Sequence, residues 1–168
     1  MSSLILILLL LACQAPAPSV QVMPHDAHLR YTGRFDTADP TSYAFAWTGS
    51  RVEGVFSGDS LSLYLKQEVG KPGPQGETRT AMFRLTLDEQ DTVFAALPGR
   101  QAYRLPVQGP GPHRFRLLRL TEAETGLTHF QGLSLAPGGS LLPLPQQAKR
   151  RIVFFGNSIT CGYGNLGA

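Results

Sequence analysis

Close to the C-terminal end of the 168 residues, the apolar run Ile152-Val153-Phe154-Phe155 leads directly into Gly156-Asn157-Ser158, a glycine turn that carries a serine. Glycine adopts backbone angles that a Cβ resists, so the chain can bend sharply at Gly156 and present Ser158 where a following helix would begin. Free N–H groups and the positive end of a helix dipole gather at such a point, and both favour negative charge. The amide of Ser158 can therefore help hold the oxyanion of an acyl-transfer intermediate while its hydroxyl attacks an ester carbonyl. Glycine, asparagine and serine also dominate ordinary loops, so taken alone these three residues equally fit a plain turn.

A serine hydroxyl is a weak nucleophile until a base takes its proton. The four histidines, His25, His28, His113 and His129, all lie upstream, the first two near the N-terminal leader and the others inside strand-like runs. None of them is expected to serve as that base. The turn also departs from the Gly-x-Ser-x-Gly elbow, because Thr160 stands in the place of the second glycine, which argues against a lipase-like fold. No HExxH, paired CxxC or comparable spacing points to a metal, and no cofactor is implied.

The elements that would position this serine divide the chain in two. The run ending at Phe155 follows three cations, Lys149-Arg150-Arg151, and has the pattern of a strand buried on both faces of a parallel sheet. Such a sheet needs covering helices, and no long helical pattern is evident. Instead, 18 glycines and 13 prolines punctuate a series of short strand-like runs. Ser60-Leu61-Ser62-Leu63-Tyr64-Leu65-Lys66 alternates cleanly, with the leucines on one face. Further candidates are 29–35, 43–47, 51–56, 80–87, 92–97, 103–107, 113–120 and 128–135. Nine such strands predict two sheets around one core, built from roughly 110 residues. Residues 69–78 read as a mobile surface loop, and 136–147, with Pro137, Pro143 and Pro145, as the domain boundary.

These residues carry a resemblance. Gly156-Asn157-Ser158-Ile159-Thr160 resembles the first conserved block of the SGNH (GDSL-type) hydrolases. The longer stretch 152–165, with Cys161-Gly162-Tyr163-Gly164 after the serine, is similar to the carbohydrate esterase family 2 acetylesterases, which act on acetylated plant polysaccharides. That family carries a jelly-roll β-sandwich ahead of its SGNH domain. Gly33-Arg34-Phe35-Asp36, Trp47-Thr48-Gly49-Ser50, Arg119-Leu120-Thr121-Glu122, Phe130-Gln131-Gly132 and Gly138-Gly139 resemble stretches of that sandwich.

The resemblance covers residues 29–168 and implies a mainly β chain. A jelly-roll β-sandwich would occupy 20–137 and a linker 138–149, with the first strand and nucleophile turn of a truncated α/β SGNH-hydrolase domain at 150–168. It implies Ser158 as the catalytic nucleophile and its amide as one oxyanion donor, with Gly156 and Asn157 supporting the turn. Many members have aspartate where this chain has Asn157. Asparagine caps a helix about as well, so the turn should survive while that carboxylate's charge is lost. The family's other oxyanion donors and its catalytic histidine lie downstream of the serine. The resemblance thus implies the N-terminal part of an acetylesterase, inactive by itself, acting on an acetylated polysaccharide or oligosaccharide.

At the other end, the apolar run from Leu4 to Leu11 closes in Leu10-Leu11-Ala12-Cys13, the order of a bacterial lipoprotein box. The run is too short to span a bilayer. Residues 1–19 then form a signal peptide and tether, and the lipoprotein pattern implies acylation of Cys13 and attachment to a bacterial membrane in the cell envelope. A plain secretory signal cleaved near Ala15 or Ala17 is the other reading. Cys161 reads as a small packed residue, with no disulfide framework.

A net charge of +3 with interspersed acids does not indicate nucleic-acid binding. In the run 113–120, Arg114 and Arg116 share one face and Arg119 the other, so they make no phosphate-binding stripe. Trp47, Tyr31, Tyr43, Tyr64 and Tyr103 are candidates for stacking on sugar, although strand aromatics more often belong to a core. A non-catalytic carbohydrate-binding or interaction sandwich is accordingly the alternative to the esterase.

Overall fold

The computed structural model describes residues 18–109, 111–146 and 155–157. Eleven strands fill them in chain order: β1 Val20–Val22, β2 Arg30–Thr32, β3 Tyr43–Phe45, β4 Arg51–Ser57, β5 Ser60–Gln67, β6 Met82–Leu87, β7 Gln90–Ala95, β8 Gly99–Pro106, β9 His113–Arg119, β10 Thr128–Leu135 and β11 Ser140–Leu142. One 3-10 turn, Ala123–Thr125, lies between β9 and β10, and the described residues include no α-helix.

All pairings are antiparallel. The first sheet runs β1-β10-β5-β8, with β3 placed end to end with β1 along the same side of β10. The second runs β11-β4-β9-β6-β7, with β2 and β11 sharing the outer side of β4 in the same manner. This is the jelly-roll β-sandwich anticipated from the sequence.

Period-two patterning decides which face each strand buries. In β5, Leu61, Leu63 and Leu65 point into the core while Ser60, Ser62 and Tyr64 stay half-buried on the other side. In β9, Phe115 and Leu117 face inward and Arg114 and Arg116 outward. Each fully buried leucine or phenylalanine stabilises the fold by about 1.5–3 kcal/mol relative to exposure. Rings bridge the two layers: Phe45 meets Phe83 at 6.1 Å, and Phe94 meets Tyr103 at 4.5 Å where the outer strands β7 and β8 come together.

One irregularity keeps β10 in phase. Phe130 lies opposite Leu65, but Leu133 lies opposite Leu63, so β10 spends one residue more than β5 over this interval. This β-bulge, containing Gly132 at φ 89°, returns Leu133 and Leu135 to the core face that strict alternation would deny them.

The strand readings hold for every candidate in this part of the chain, with ends moved by a few residues, and two strands are additional. β1 was not anticipated. β11 lies inside 138–149, the stretch read as linker, where it pairs with Val55, Phe56 and Ser57 of β4 while Leu141 packs on the core. The sandwich therefore runs on to Leu142. Two apolar residues among prolines are too short a run to show periodicity, and only the open side of β4 makes them a strand. Residues 150–154, read as part of the next domain, lie outside the described residues.

Candidate functional site

Ser158 and Cys13 lie outside the described residues. Gly156 and Asn157 are described and exposed, in neither strand nor helix. Phe155, just before them, is 95 % exposed, and no described strand pairs with it.

The histidines are occupied elsewhere. His25 Nδ1 lies 3.1 Å from the Pro40 carbonyl, and His28 Nδ1 lies 3.1 Å from Asp26 Oδ1. His129 Nε2 lies 2.8 Å from Glu68 Oε1. His113 is buried, with Nδ1 at 2.5 Å from Asp88 Oδ2 and Nε2 at 3.0 Å from the Gly109 carbonyl. Both partners are oxygens, and the doubly protonated ring satisfies both contacts at once by donating from each nitrogen. The Gly109 bond, opposed by burial and assisted by Asp88, raises its pKa above the usual value. A histidine held this way has no free nitrogen with which to accept a serine proton.

Among the proposed sugar-stacking aromatics, four are engaged in structure. Tyr31 donates to the Pro24 carbonyl at 2.6 Å, and burial pushes its phenol well up. Its ring packs with Phe35, Tyr43 and Phe130. Tyr64 shares a hydrogen bond with Ser134 at 2.9 Å, and the Tyr103 oxygen accepts from the Leu97 amide at 3.0 Å. Trp47 differs: it lies beyond β3 rather than in it, 56 % exposed, with the Arg34 guanidinium 5.5 Å from its ring centroid.

Two polar constellations were not visible in the sequence. The first is internal. Arg119, fully buried, donates to the hydroxyls of Thr128 and Thr125, each at 2.7 Å, and to the carbonyls of Gly126 at 2.7 Å and of Thr121 and Glu122 at 3.1 Å. Burial lowers its pKa to about 10, with Glu122 opposing, so it stays charged at neutral pH. Thr128 in turn donates to Gln67 Oε1 at 2.5 Å. The network fastens the connection between β9 and β10 to the end of β5.

The second constellation lies on the outer face of the second sheet. The carboxylate of Glu53, its side chain 3 % exposed, has guanidinium nitrogens of Arg30 at 3.3 Å, Arg116 at 3.6 Å, Arg114 at 3.7 Å and Arg51 at 4.0 Å. The alternation of Arg51 with Glu53 and of Arg114 with Arg116 was the available signal. What period two could not reveal is that β4 and β9 are neighbours, with Glu53 opposite Arg116. Beside this cluster is an open cavity of about 470 Å³ lined by Thr86, Asp88, Glu89, Arg114, Phe115 and Arg116. Among the described residues, no group of three His, Cys, Asp or Glu side chains gathers to hold a metal.

Two antiparallel sheets of this order form a jelly-roll β-sandwich module. Residues 31–145 match the family described as carbohydrate esterase 2 N-terminal, and the chain belongs to that family. It is 35 % identical over 126 residues to an acetylxylan esterase / glucomannan deacetylase of Cellvibrio japonicus, covering 75 % of this chain and 32 % of that protein. It is 34 % identical over 139 residues to the cellulase/esterase CelE of Acetivibrio thermocellus, covering 82 % of this chain and 16 % of that one. The solved structure of a family two carbohydrate esterase from Clostridium thermocellum in complex with cellohexaose matches with a TM-score of 0.68 and 33 % identity, over 82 % of this chain and 39 % of that chain. The sequence thus spans about a third or less of the curated relatives it matches first.

Proposed function

We propose that this chain is the N-terminal part of a secreted or lipid-anchored carbohydrate acetylesterase that removes acetyl groups from plant polysaccharides. The observation that carries the reading is the family match over 31–145, with Gly156-Asn157-Ser158 following it in the sequence. The acetylxylan esterase names of its relatives support an ester of an acetylated polysaccharide as substrate. Ser158 Oγ attacks the acetyl carbonyl, the Ser158 amide helps hold the oxyanion, and collapse expels the sugar hydroxyl and leaves an acetyl-serine. Water then releases acetate and restores the serine. The base comes from the length of the relatives that this chain does not span, since His113 is already committed on both nitrogens. The 168 residues alone should be inactive.

Acetate release from acetylated xylan tests this, using the 168-residue chain and the product of the reading frame extended past Ala168. The extended product should be active and lose at least about a thousandfold on Ser158→Ala. Activity that survives this substitution would remove Ser158 from the mechanism.

Residues 1–19 support export, with Cys13 as the lipidated residue that holds the protein on a bacterial membrane. Cys13→Ser should move the protein from the membrane fraction to the soluble one. An unchanged distribution would favour a plain secretory signal or another anchor.

A further inference from the structure

We propose that the outer face of the second sheet binds the carboxylates of an acidic polysaccharide, with uronate groups seated on the guanidinium groups of Arg51, Arg114 and Arg116. Arg30 on β2, Arg51 and Glu53 on β4, Arg114 and Arg116 on β9, and Arg84 on β6 all alternate with inward-facing residues and share this face. The register arrays them as a grid. Arg30, Glu53, Arg116 and Thr86 form one row across the strands, and Thr32, Arg51, Leu118 and Arg84 form the next.

The charges on this grid do not balance. Glu53 is one carboxylate facing the four guanidinium groups of Arg30, Arg51, Arg114 and Arg116, and Arg84 is met by Asp91 at 3.7 Å. At the margin, Asp88 is taken by His113 and by the Arg114 amide at 2.7 Å, and Glu89 lines the adjoining cavity. A carboxylate offers about four acceptor sites, whereas each guanidinium carries five N–H donors. Donors are therefore in large excess: the Nε groups of Arg51 and Arg116 are buried without a hydrogen-bond partner. Arg30 is spent on Glu53 and on the Pro145 carbonyl at 2.6 Å. The side chains of Arg51, Arg114 and Arg116 remain 37 %, 47 % and 41 % exposed, with their surplus charge toward solvent.

An anion with planar, paired acceptors matches such a surface, because guanidinium and carboxylate bond in bidentate fashion. Several arginines spread across adjoining strands of an open face suit a polymer that repeats its charge. Membership of a carbohydrate esterase family makes that polymer a polysaccharide. The remaining outward residues here include Thr32, Val55, Met82, Thr86 and Leu118, which give no ring on which nucleic-acid bases could stack. The proposal stands on the arginine face and not on Ser158, so acetate release does not bear on it.

Calorimetric titration of the chain with octagalacturonate tests the site, with neutral cellohexaose and oligothymidylate as comparators. At about 50 mM salt octagalacturonate should bind, and the affinity should fall at least about tenfold by about 300 mM. R114Q/R116Q, which leaves Arg30 and Arg51 on Glu53, should weaken binding at least about tenfold with the melting transition retained. R51Q provides a second variant should the double substitution unfold the sheet. No binding at low salt, binding indifferent to salt, or binding unchanged in a folded variant would overturn the proposal. Oligothymidylate binding as tightly as octagalacturonate would also overturn it, making the face a general polyanion surface.

Discussion

Arg119 Nη1 donates to the Thr128 hydroxyl at 2.7 Å, and that bond joins β9 of one sheet to β10 of the other through the interior. A buried cation is costly unless its donors are satisfied. Here hydroxyls and carbonyls from the connecting segment take them up, and the guanidinium also lies 5.9 Å from the centroid of Phe83. Arg119 thus holds the turn at Ala123–Thr125 in place as well as filling space.

Arg119→Met should therefore be among the most damaging single changes in the sandwich. It removes the charge with little change in volume but takes a donor from the Thr128 hydroxyl and from the Thr121 and Gly126 carbonyls, a loss of about 3–5 kcal/mol. Urea unfolding measures it, and a loss below about 1 kcal/mol would show that water replaces the guanidinium.

The His113–Asp88 pair gives stability a pH dependence with a definite sign. The folded pKa of His113 is raised, so its contribution is complete below the ordinary histidine value of about 6.5 and declines as pH rises through the folded value. Asp88 is lowered: burial, the largest influence, would raise it, but the bonds from the Arg114 amide and from His113 outweigh that. Its contribution is present above the ordinary value and is lost as pH falls through the folded one. Melting temperature should therefore decline on the alkaline side of pH 6.5, and His113→Gln should flatten that decline. An identical alkaline slope in the variant would assign it to another group.

Glu53→Gln should destabilise by about 2 kcal/mol, less than loss of a fully buried pair, because the arginines around it can turn to water. Without the carboxylate their mutual repulsion remains, and salt screens repulsion. The deficit should consequently shrink between low and high ionic strength, as urea titrations at the two salt levels would show. A deficit that does not change with salt would mean that packing, not charge, is what Glu53 supplies.

Gly132 tests the bulge. It sits at φ 89°, and a Cβ there would fall 2.3 Å from the Val22 carbonyl oxygen. Gly132→Ala should cost about 3 kcal/mol or more by combining left-handed strain with displacement of β1. Gly76, at φ 82° with open space around it, is the control and should cost only about 1 kcal/mol on the same change. Equal losses at the two positions would indicate that β1 simply yields.

Much of the sandwich was legible because alternation is a local signal. Ser60–Gln67 shows its leucine face in the sequence itself, and placing Arg119 opposite Arg114 and Arg116 needed only the period of a strand. β1 and β11 were not legible, since three residues carry no period and become strands only against β10 and β4. The bulge at Gly132 was hidden for a related reason: an extra residue in one strand is defined only by its partner.

The sequence alone determined the kinds of element and carried the family resemblance, because both are written in short stretches of residues close together along the chain. Tertiary structure decided that Arg119 would be buried and satisfied, that both nitrogens of His113 would be committed, and that Arg30, Arg51, Arg114 and Arg116 would converge on Glu53. Each depends on which strands lie side by side. That order follows from burying all the inward faces at once, and charge-charge interactions acquire their strength only when those strands bring the groups within a few ångströms.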